Sequence, residues 1–133
     1  SPRWDFTRFT PDIVSICLGT NDFSDGDGSV PRAPFDPALF IPAYVDFIKT
    51  VHGHYPEARI IITNTPMLDG QKNEILMDCL QQIKTKAEAS LPGLKPMYLF
   101  SFSSVYRSGC LGHPSVEEHG KMAEEFLDFL EGI

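Results

Sequence analysis

The fold is decided by one stretch of sequence, IVSICLGTND, which covers residues 13–22. Its first six residues are mostly apolar and β-branched, and such a short run is typical of a strand covered on both faces in a parallel sheet. A Gly and three polar residues follow directly and end the strand. The stretch therefore predicts a buried strand over residues 13–18 with a polar turn at its carboxyl end.

The rest of the chain alternates between strand and helix patterns. Short apolar runs predict two further strands, over residues 59–63 and 97–102. Helical spacing of apolar residues predicts one helix after each strand. The positions are Phe40, Tyr44, Phe47, Ile48, Val51 and Tyr55, then Ile75, Leu76, Cys79, Leu80, Ile83 and Ala87, then Val116, Met122, Ala123, Phe126, Leu127 and Leu130. The order β-α-β-α-β-α predicts an α/β fold with parallel strands and right-handed crossovers.

Two helix starts are visible in the sequence. Asp36 followed by Pro37 predicts the first residues of the first helix, whereas Pro42 predicts a broken first turn. Ser115 and Glu118 have the spacing of a capping box and predict the start of the last helix.

Composition excludes several classes of protein. The 133 residues are 42% apolar and 22% charged, which is globular and not typical of a disordered chain or a coiled coil. No apolar run approaches the about 20 residues that span a bilayer. The formal net charge of −7 disfavours nucleic acid and anionic membranes as partners, but it does not disfavour a neutral sugar.

The cysteines and histidines indicate neither a disulfide framework nor a metal site. The three Cys contain no CxxC pair, and we expect Cys17 and Cys79 to be buried and Cys110 to lie in a loop. His52 and His54 lack a third ligand. The DGDGS segment at residues 25–29 resembles a calcium loop, but Val occupies the position that needs Gly.

Chemistry is expected at the carboxyl ends of the strands, where residues 19–36, 64–72 and 103–114 form loops. In the first loop, Asn21 could donate its side-chain amide to a developing negative charge, with Gly19 shaping the turn and Asp22 bonding backbone N–H groups. In the third loop, His113 suits general acid–base work. The alternatives are a simple strand-ending turn and a surface His without a role.

Together these segments resemble blocks of the SGNH, or GDSL-type, hydrolases. Gly19, Asn21 and Asp22 match a Gly-x-Asn-Asp block, and His113 with Pro114 matches the block before the last helix. The segments WDFTRFTPDIV at residues 4–14, LGTNDF at 18–23 and GHPS at 112–115 are similar to the carbohydrate esterase family two enzymes, which remove acetyl groups from xylan and related sugars.

The resemblance implies a three-layer, flavodoxin-like sheet of order 2-1-3-4-5, of which this chain supplies the last three strands. It also implies that Asn21 donates to the oxyanion beside Gly19, that His113 is the general base, and that Asp22 supports the turn. No metal or organic cofactor is implied. The substrate implied is an acetylated polysaccharide or oligosaccharide, and from that substrate we expect a secreted, periplasmic or cell-surface protein.

Two features depart from the family pattern. The nucleophilic Ser and a second oxyanion Gly follow earlier strands that this chain lacks, and Ser29 is rejected because its Gly-Asp-Gly-Ser context lies in a flexible loop. The positions three and two before His113, where an Asp would orient the imidazole, hold Cys110 and Leu111. A Ser–His dyad without an acid is known in the resembled family.

The sequence is therefore interpreted as the C-terminal part, residues 1–133, of a single esterase domain. We expect the chain to be inactive alone, because the nucleophile belongs to an N-terminal segment of the same domain that covers the strand at residues 13–18. The alternative is a non-catalytic flavodoxin-like domain that binds sugar or protein.

Overall fold

A computed structural model describes residues 4–133 of the chain. The strands are β1 (Ile13–Ile16), β2 (Arg59–Thr63) and β3 (Tyr98–Phe100), and the helices are α1 (Pro37–His54), α2 (Gly70–Ser90) and α3 (Val116–Glu131). Two short 3₁₀ helices cover Phe6–Arg8 and Cys110–Gly112. The predicted order of strands and helices is confirmed, although β1 and β3 are shorter than the apolar runs that predicted them.

The three strands form one parallel sheet of order β1-β2-β3. Ile60 and Ile62 of β2 pack in the core with α1 and α2, while Phe100 of β3 contacts Phe126 and Phe129 of α3, with ring centroids 5.2 and 5.0 Å apart. Helices therefore cover both faces of the sheet. This is the three-layer arrangement that the resemblance implied.

The start of α1 is confirmed at its cap and corrected at its first turns. The Asp36 carboxylate accepts a hydrogen bond from the Ala38 backbone N–H at 2.8 Å, and Pro37 is the first helical residue. The predicted break at Pro42 is wrong, because the helix runs through this residue. Ile41 and Tyr44 are buried on either side of it, so packing against the core holds a turn that has lost one hydrogen bond.

The core lies between the sheet and the pair α1 and α2. Every predicted apolar position of α2 from Leu76 to Ala87 is buried. These residues are Leu76, Cys79, Leu80, Ile83 and Ala87. Among residues 4–133, no helix is both long and apolar enough to span a membrane.

The prediction that β1 is covered on both faces is wrong for this chain. Only Ile16 of β1 is buried; Ile13 is 38% exposed, and Leu18, just after the strand, is 45% exposed. Within the described part of the chain, β1 pairs with β2 alone, so its other edge faces solvent. For the same reason Cys17 is exposed and not buried as predicted, whereas Cys79 is buried.

The apolar face of α3 is only partly covered. No residue of this helix is fully buried, and Val116 and Leu127 are 92% and 55% exposed. Met122 and Phe126 border a groove of about 260 Å³ between α3 and the exposed side of β1 and β2. The predicted apolar stripe therefore exists in the sequence but has few partners in this chain.

Candidate functional site

The turn after β1 is closed by the backbone. The N–H groups of Asp22 and Phe23 donate to the Gly19 carbonyl oxygen at 3.1 and 3.3 Å. Gly19 has a φ of 127°, and a Cβ atom there would lie 2.9 Å from Cδ1 of Leu76. The positive φ therefore favours a Gly in this turn, and the Leu76 side chain of α2 packs against it.

Asn21 is exposed on this turn and makes no side-chain hydrogen bond to any residue between 4 and 133. Its backbone carbonyl accepts a bond from Nη1 of Arg32 at 3.1 Å. Within the described residues the Asp22 carboxylate accepts no hydrogen bond, and backbone N–H groups close the turn. The Asn21 amide is consequently available to a ligand.

Phe23 attaches the turn to the rest of the fold. Its ring is buried and stacks on Phe35, with 3.9 Å between the centroids. Its carbonyl oxygen accepts a hydrogen bond from Nζ of Lys72 at 3.2 Å. The turn therefore has one apolar attachment to the core and one polar attachment to α2, and both hold the residues beside Asn21 in place.

His113 lies on a tight loop between the second 3₁₀ helix and α3. Its backbone N–H donates to the Cys110 carbonyl at 3.1 Å, and its carbonyl accepts from the Gly109 N–H at 2.7 Å. The side chain is exposed and borders a cavity of about 710 Å³ together with Ser24, Arg32 and Leu111. Among residues 4–133, no group forms a hydrogen bond to its ring.

Asn21 and His113 line neighbouring cavities and not the same one. Asn21 borders a cavity of about 400 Å³ that also includes Ser24 and Arg32, and those two residues border the cavity of His113 as well. Both proposed residues thus face the loop of residues 23–36 at the carboxyl edge of the sheet. Arg32 borders both cavities.

Ser29 also borders the cavity of His113, but its hydroxyl has another partner. The Ser29 hydroxyl donates to Oδ1 of Asp27 at 2.6 Å, and the Ser29 backbone N–H donates to the same oxygen at 2.9 Å. These bonds lower the pKa of the Asp27 carboxyl, which is fully exposed. The pair is a local turn within an exposed loop.

Two other histidines, His52 and His54, lie in the last turn of α1, away from this edge. Nε2 of His52 lies 3.1 Å from the carbonyl oxygen of Pro92, and the ring of His54 stacks on Phe6 with 3.6 Å between the centroids. Within residues 4–133, no group of three or more His, Cys, Asp and Glu side chains is placed to hold a metal ion.

The contacts of three residues of this region were missed from the sequence. Arg32 is the only cation in the loop of residues 23–36, and that isolated charge was the available signal. Glu118 was predicted as part of a capping box, which the structure confirms, but its carboxylate also accepts a bond from the Ser108 N–H at 3.0 Å. Asn64, buried at the end of β2, links β1 to β3 by accepting from the Cys17 thiol and the Phe102 N–H.

Known proteins resemble this chain over nearly its whole length. No family model matches it. An acetylxylan esterase / glucomannan deacetylase of Cellvibrio japonicus is 30% identical over 135 residues, covering 100% of this chain and 34% of the relative. The cellulase/esterase CelE of Acetivibrio thermocellus is 33% identical over 125 residues, covering 92% of this chain and 14% of the relative.

A solved structure agrees with these relatives. The family two carbohydrate esterase of Clostridium thermocellum, in complex with cellohexaose, aligns with a TM-score of 0.80 and 30% identity over 98% of this chain and 38% of that one. This chain is a homologue of the family two carbohydrate esterases. It spans about a third or less of the length of the curated relatives it matches.

The chain corresponds to the C-terminal part of the family two carbohydrate esterases, as its sequence predicted. The partial parallel sheet of three strands matches the fold of those enzymes. The resemblance first drawn from the segments around Asn21 and His113 is therefore confirmed at the level of family and fold.

Proposed function

We propose that this chain forms part of a serine-type carbohydrate O-acetyl esterase in which His113 is the general base and Asn21 donates to the oxyanion. One observation supports this proposal: an exposed imidazole, and an amide without a hydrogen bond to residues 4–133, face the same loop at the carboxyl edge of the sheet, around Ser24 and Arg32. The substrate class is an acetylated polysaccharide or oligosaccharide. Because such polymers lie outside the cytoplasm, we propose that the protein acts there.

In this proposal the reaction follows the serine acyl-transfer route. His113 removes the proton from a serine hydroxyl as its oxygen bonds to the acetyl carbonyl carbon, while the Asn21 amide donates to the developing oxyanion. The ester C–O bond then breaks, and His113 passes the proton to the departing sugar oxygen. Water, deprotonated by His113, then bonds to the acyl carbon, the bond from that carbon to the serine oxygen breaks, and His113 returns the proton to the serine oxygen as acetate leaves.

The serine belongs to a segment outside this chain, so we propose that residues 1–133 alone are inactive. Ser29 is excluded as the nucleophile, because its hydroxyl bonds Asp27 and it lies on an exposed loop. A nucleophilic serine requires a rigid strand-to-helix turn.

The open edge of β1 is the proposed seat of that nucleophile-bearing N-terminal segment. Apolar grooves flank this edge on both faces of the sheet. One, of about 250 Å³, includes Val14, Phe47 and Val51; the other, of about 260 Å³, lies under α3. A flat, apolar, unpaired strand is a template for another strand. A clean, stable monomer in size-exclusion chromatography of residues 1–133 alone would contradict this arrangement.

A second candidate function is that of a non-catalytic sugar- or protein-binding domain. The observation that favours it is that, within residues 4–133, no carboxylate contacts the ring of His113. A general base that lacks an orienting partner is held less firmly in the position that proton transfer needs. An esterase would bind and hydrolyse an acetylated sugar, whereas a binding domain would bind sugar without turnover.

The deciding experiment uses the full-length protein. Hydrolysis of 4-nitrophenyl acetate and of acetylated xylan is measured for the wild type, His113→Ala and Ser29→Ala. We expect His113→Ala to abolish both reactions and Ser29→Ala to retain them. Full activity in His113→Ala would remove this residue from the mechanism, and sugar binding without turnover in the wild type would favour the binding domain.

A further inference from the structure

The loop that carries His113 has an unusual backbone path. Leu111 and Gly112 have φ values of 55° and 73°, so two consecutive residues are left-handed. Leu111 is 97% exposed and makes this turn without a packing partner to stabilise it. Left-handed backbone is unfavourable for Leu, so contacts elsewhere must hold the loop in this shape.

The two arms of the loop approach more closely than side chains would allow. A Cβ atom on Gly109 would lie 2.8 Å from the backbone oxygen of His113 and 3.0 Å from the backbone nitrogen of Ser115. The Gly109 N–H donates to that His113 oxygen at 2.7 Å. The position of the His113 backbone therefore depends on the two arms staying together.

One carboxylate oxygen joins the arms at their base. Oε2 of Glu118 accepts hydrogen bonds from the backbone N–H of Ser108 at 3.0 Å and from that of Ser115 at 2.7 Å. Ser108 is the first residue of the loop and Ser115 is the last. The bonds from Ser115 and Ser108 lower the pKa of Glu118 to about 2, so the group is a carboxylate at neutral pH.

The bond to Ser108 is not part of helix capping. A capping box needs only the reciprocal bonds between Ser115 and Glu118, and both are present. The third bond reaches ten residues back along the chain to the other arm of the loop. A second glutamate of α3 also bonds the segment after β3, because the Glu125 carboxylate accepts a hydrogen bond from the Ser103 N–H at 2.8 Å.

We propose that Glu118 is a positioning residue for His113: its carboxylate closes the loop of residues 108–115 and fixes the imidazole at the edge of the sheet. This inference rests on the proposed role of His113 as general base. Glu118 does not contact the imidazole. It acts through the backbone, by holding Ser108 and Ser115 at a fixed separation.

The first test measures the loop itself, without reference to activity. Amide hydrogen exchange at Gly109 and His113 is compared in the full-length wild type, Glu118→Ala and Glu117→Ala. Glu117 is the matched control, because it is the adjacent residue, carries the same charge and forms its ion pair with Lys121 on the exposed side of α3. We expect exchange to be about tenfold faster in Glu118→Ala alone. Equal rates in the two variants would overturn the inference.

The second test separates positioning from helix stability. Ser115→Ala removes the hydroxyl that caps α3 but leaves both backbone bonds to Glu118. We expect Glu118→Ala to lower kcat about 10- to 100-fold with KM unchanged, because a small displacement of a base slows proton transfer. Ser115→Ala should keep kcat near the wild-type value. Glu118→Gln should recover most of kcat, since Gln preserves the acceptor oxygen and the capping box.

The outcomes of the two tests distinguish a positioning role of Glu118 from helix capping alone. Equal kcat losses in Ser115→Ala and Glu118→Ala would reduce Glu118 to a helix cap and overturn the inference. Faster exchange in Glu118→Ala with unchanged kcat would do the same. Glu118→Gln keeps the comparison possible if the Ala variant does not fold. Full activity in His113→Ala would instead defeat the proposed function, and the positioning role with it, while the exchange rates would still show whether the carboxylate closes the loop.

Discussion

The guanidinium of Arg32 donates to the backbone carbonyl oxygen of Asn21, with 3.1 Å between Nη1 and O. This bond ties the exposed loop of residues 23–36 back to the turn that follows β1. The stem of Arg32 lies over Gly26, where a Cβ atom would be 2.9 Å from Nε. Arg32 also borders the cavity of His113, so one side chain contacts the surroundings of both proposed site residues.

We expect Arg32→Ala to lower kcat/KM for acetylated xylan about tenfold in the full-length protein, because a charge-assisted hydrogen bond that holds the Asn21 turn is lost. Arg32→Lys should recover only part of this, since an ammonium group lacks the planar fork. Arg8→Ala, at an exposed arginine of the first 3₁₀ helix, is the matched control. An unchanged kcat/KM in Arg32→Ala would show that the turn holds its shape without this bond.

Asn21→Ala should reduce kcat by about two to three orders of magnitude, as for the loss of one oxyanion donor. KM should change little, because the amide is proposed to bind the developing negative charge and not the ground state. Thr20→Ala, in the same turn, controls for changes in turn conformation. Steady-state kinetics on 4-nitrophenyl acetate with the full-length protein provide the measurement, and a loss confined to KM would contradict the oxyanion role.

The sheet shows which parts of the fold the sequence determines. Strand β2 has the predicted bounds because Ile60, Ile61 and Ile62 are buried on both faces, which is the pattern that their sequence indicates. Strand β1 has the same kind of sequence, but within the described residues nothing pairs with its outer edge. An apolar run indicates that a strand is suited to burial, but it does not indicate which segment covers the strand.

The sequence indicates the candidate site residues but not the contacts that support them. Asn21 and His113 stand out because a polar turn after a strand and a His before a capped helix lie at the same edge. Glu118 could be identified only as a helix cap, since its bond to Ser108 spans a loop with a left-handed Leu111 that no sequence pattern indicates. Likewise Arg32 reaches Asn21 across eleven residues of irregular loop.

Gly19→Ala should destabilise the chain by about 1–3 kcal/mol, because a φ of 127° is strained for any residue with a Cβ atom. The nearby Cδ1 of Leu76 adds a contact that a rotamer change could relieve. Gly53→Ala is the control, since Gly53 lies in α1 with open space around its Cβ position, and it should stabilise by about 0.5–1 kcal/mol. Urea unfolding of the full-length variants measures both, and equal effects would contradict the strained turn.

The thiols test the proposed cover over β1. In residues 1–133 alone, Cys17 and Cys110 are exposed and should react with a chromogenic disulfide reagent, whereas burial protects Cys79 and raises the pKa of its thiol. In the full-length protein we expect Cys17 to become unreactive, because it borders both grooves beside β1. Cys110 should react in both forms and is the internal control. Peptide mapping that finds Cys17 equally reactive in the full-length protein would contradict a segment seated at this edge.

Acid should weaken the contribution of Glu118 within a defined range of pH. Its pKa falls from 4.5 to about 2 on folding, because the backbone N–H groups of Ser115 and Ser108 favour the carboxylate. Its contribution to the free energy of unfolding is therefore complete above pH 4.5 and is lost as the pH falls from 4.5 towards 2. The difference in stability between wild type and Glu118→Gln should shrink over that range. The exposed Glu117–Lys121 pair also lowers the pKa of Glu117, so the measurements use about 0.5 M salt, which screens this pair. A difference that stays constant from pH 5 to pH 2 would show that the Glu118 charge does not stabilise the loop.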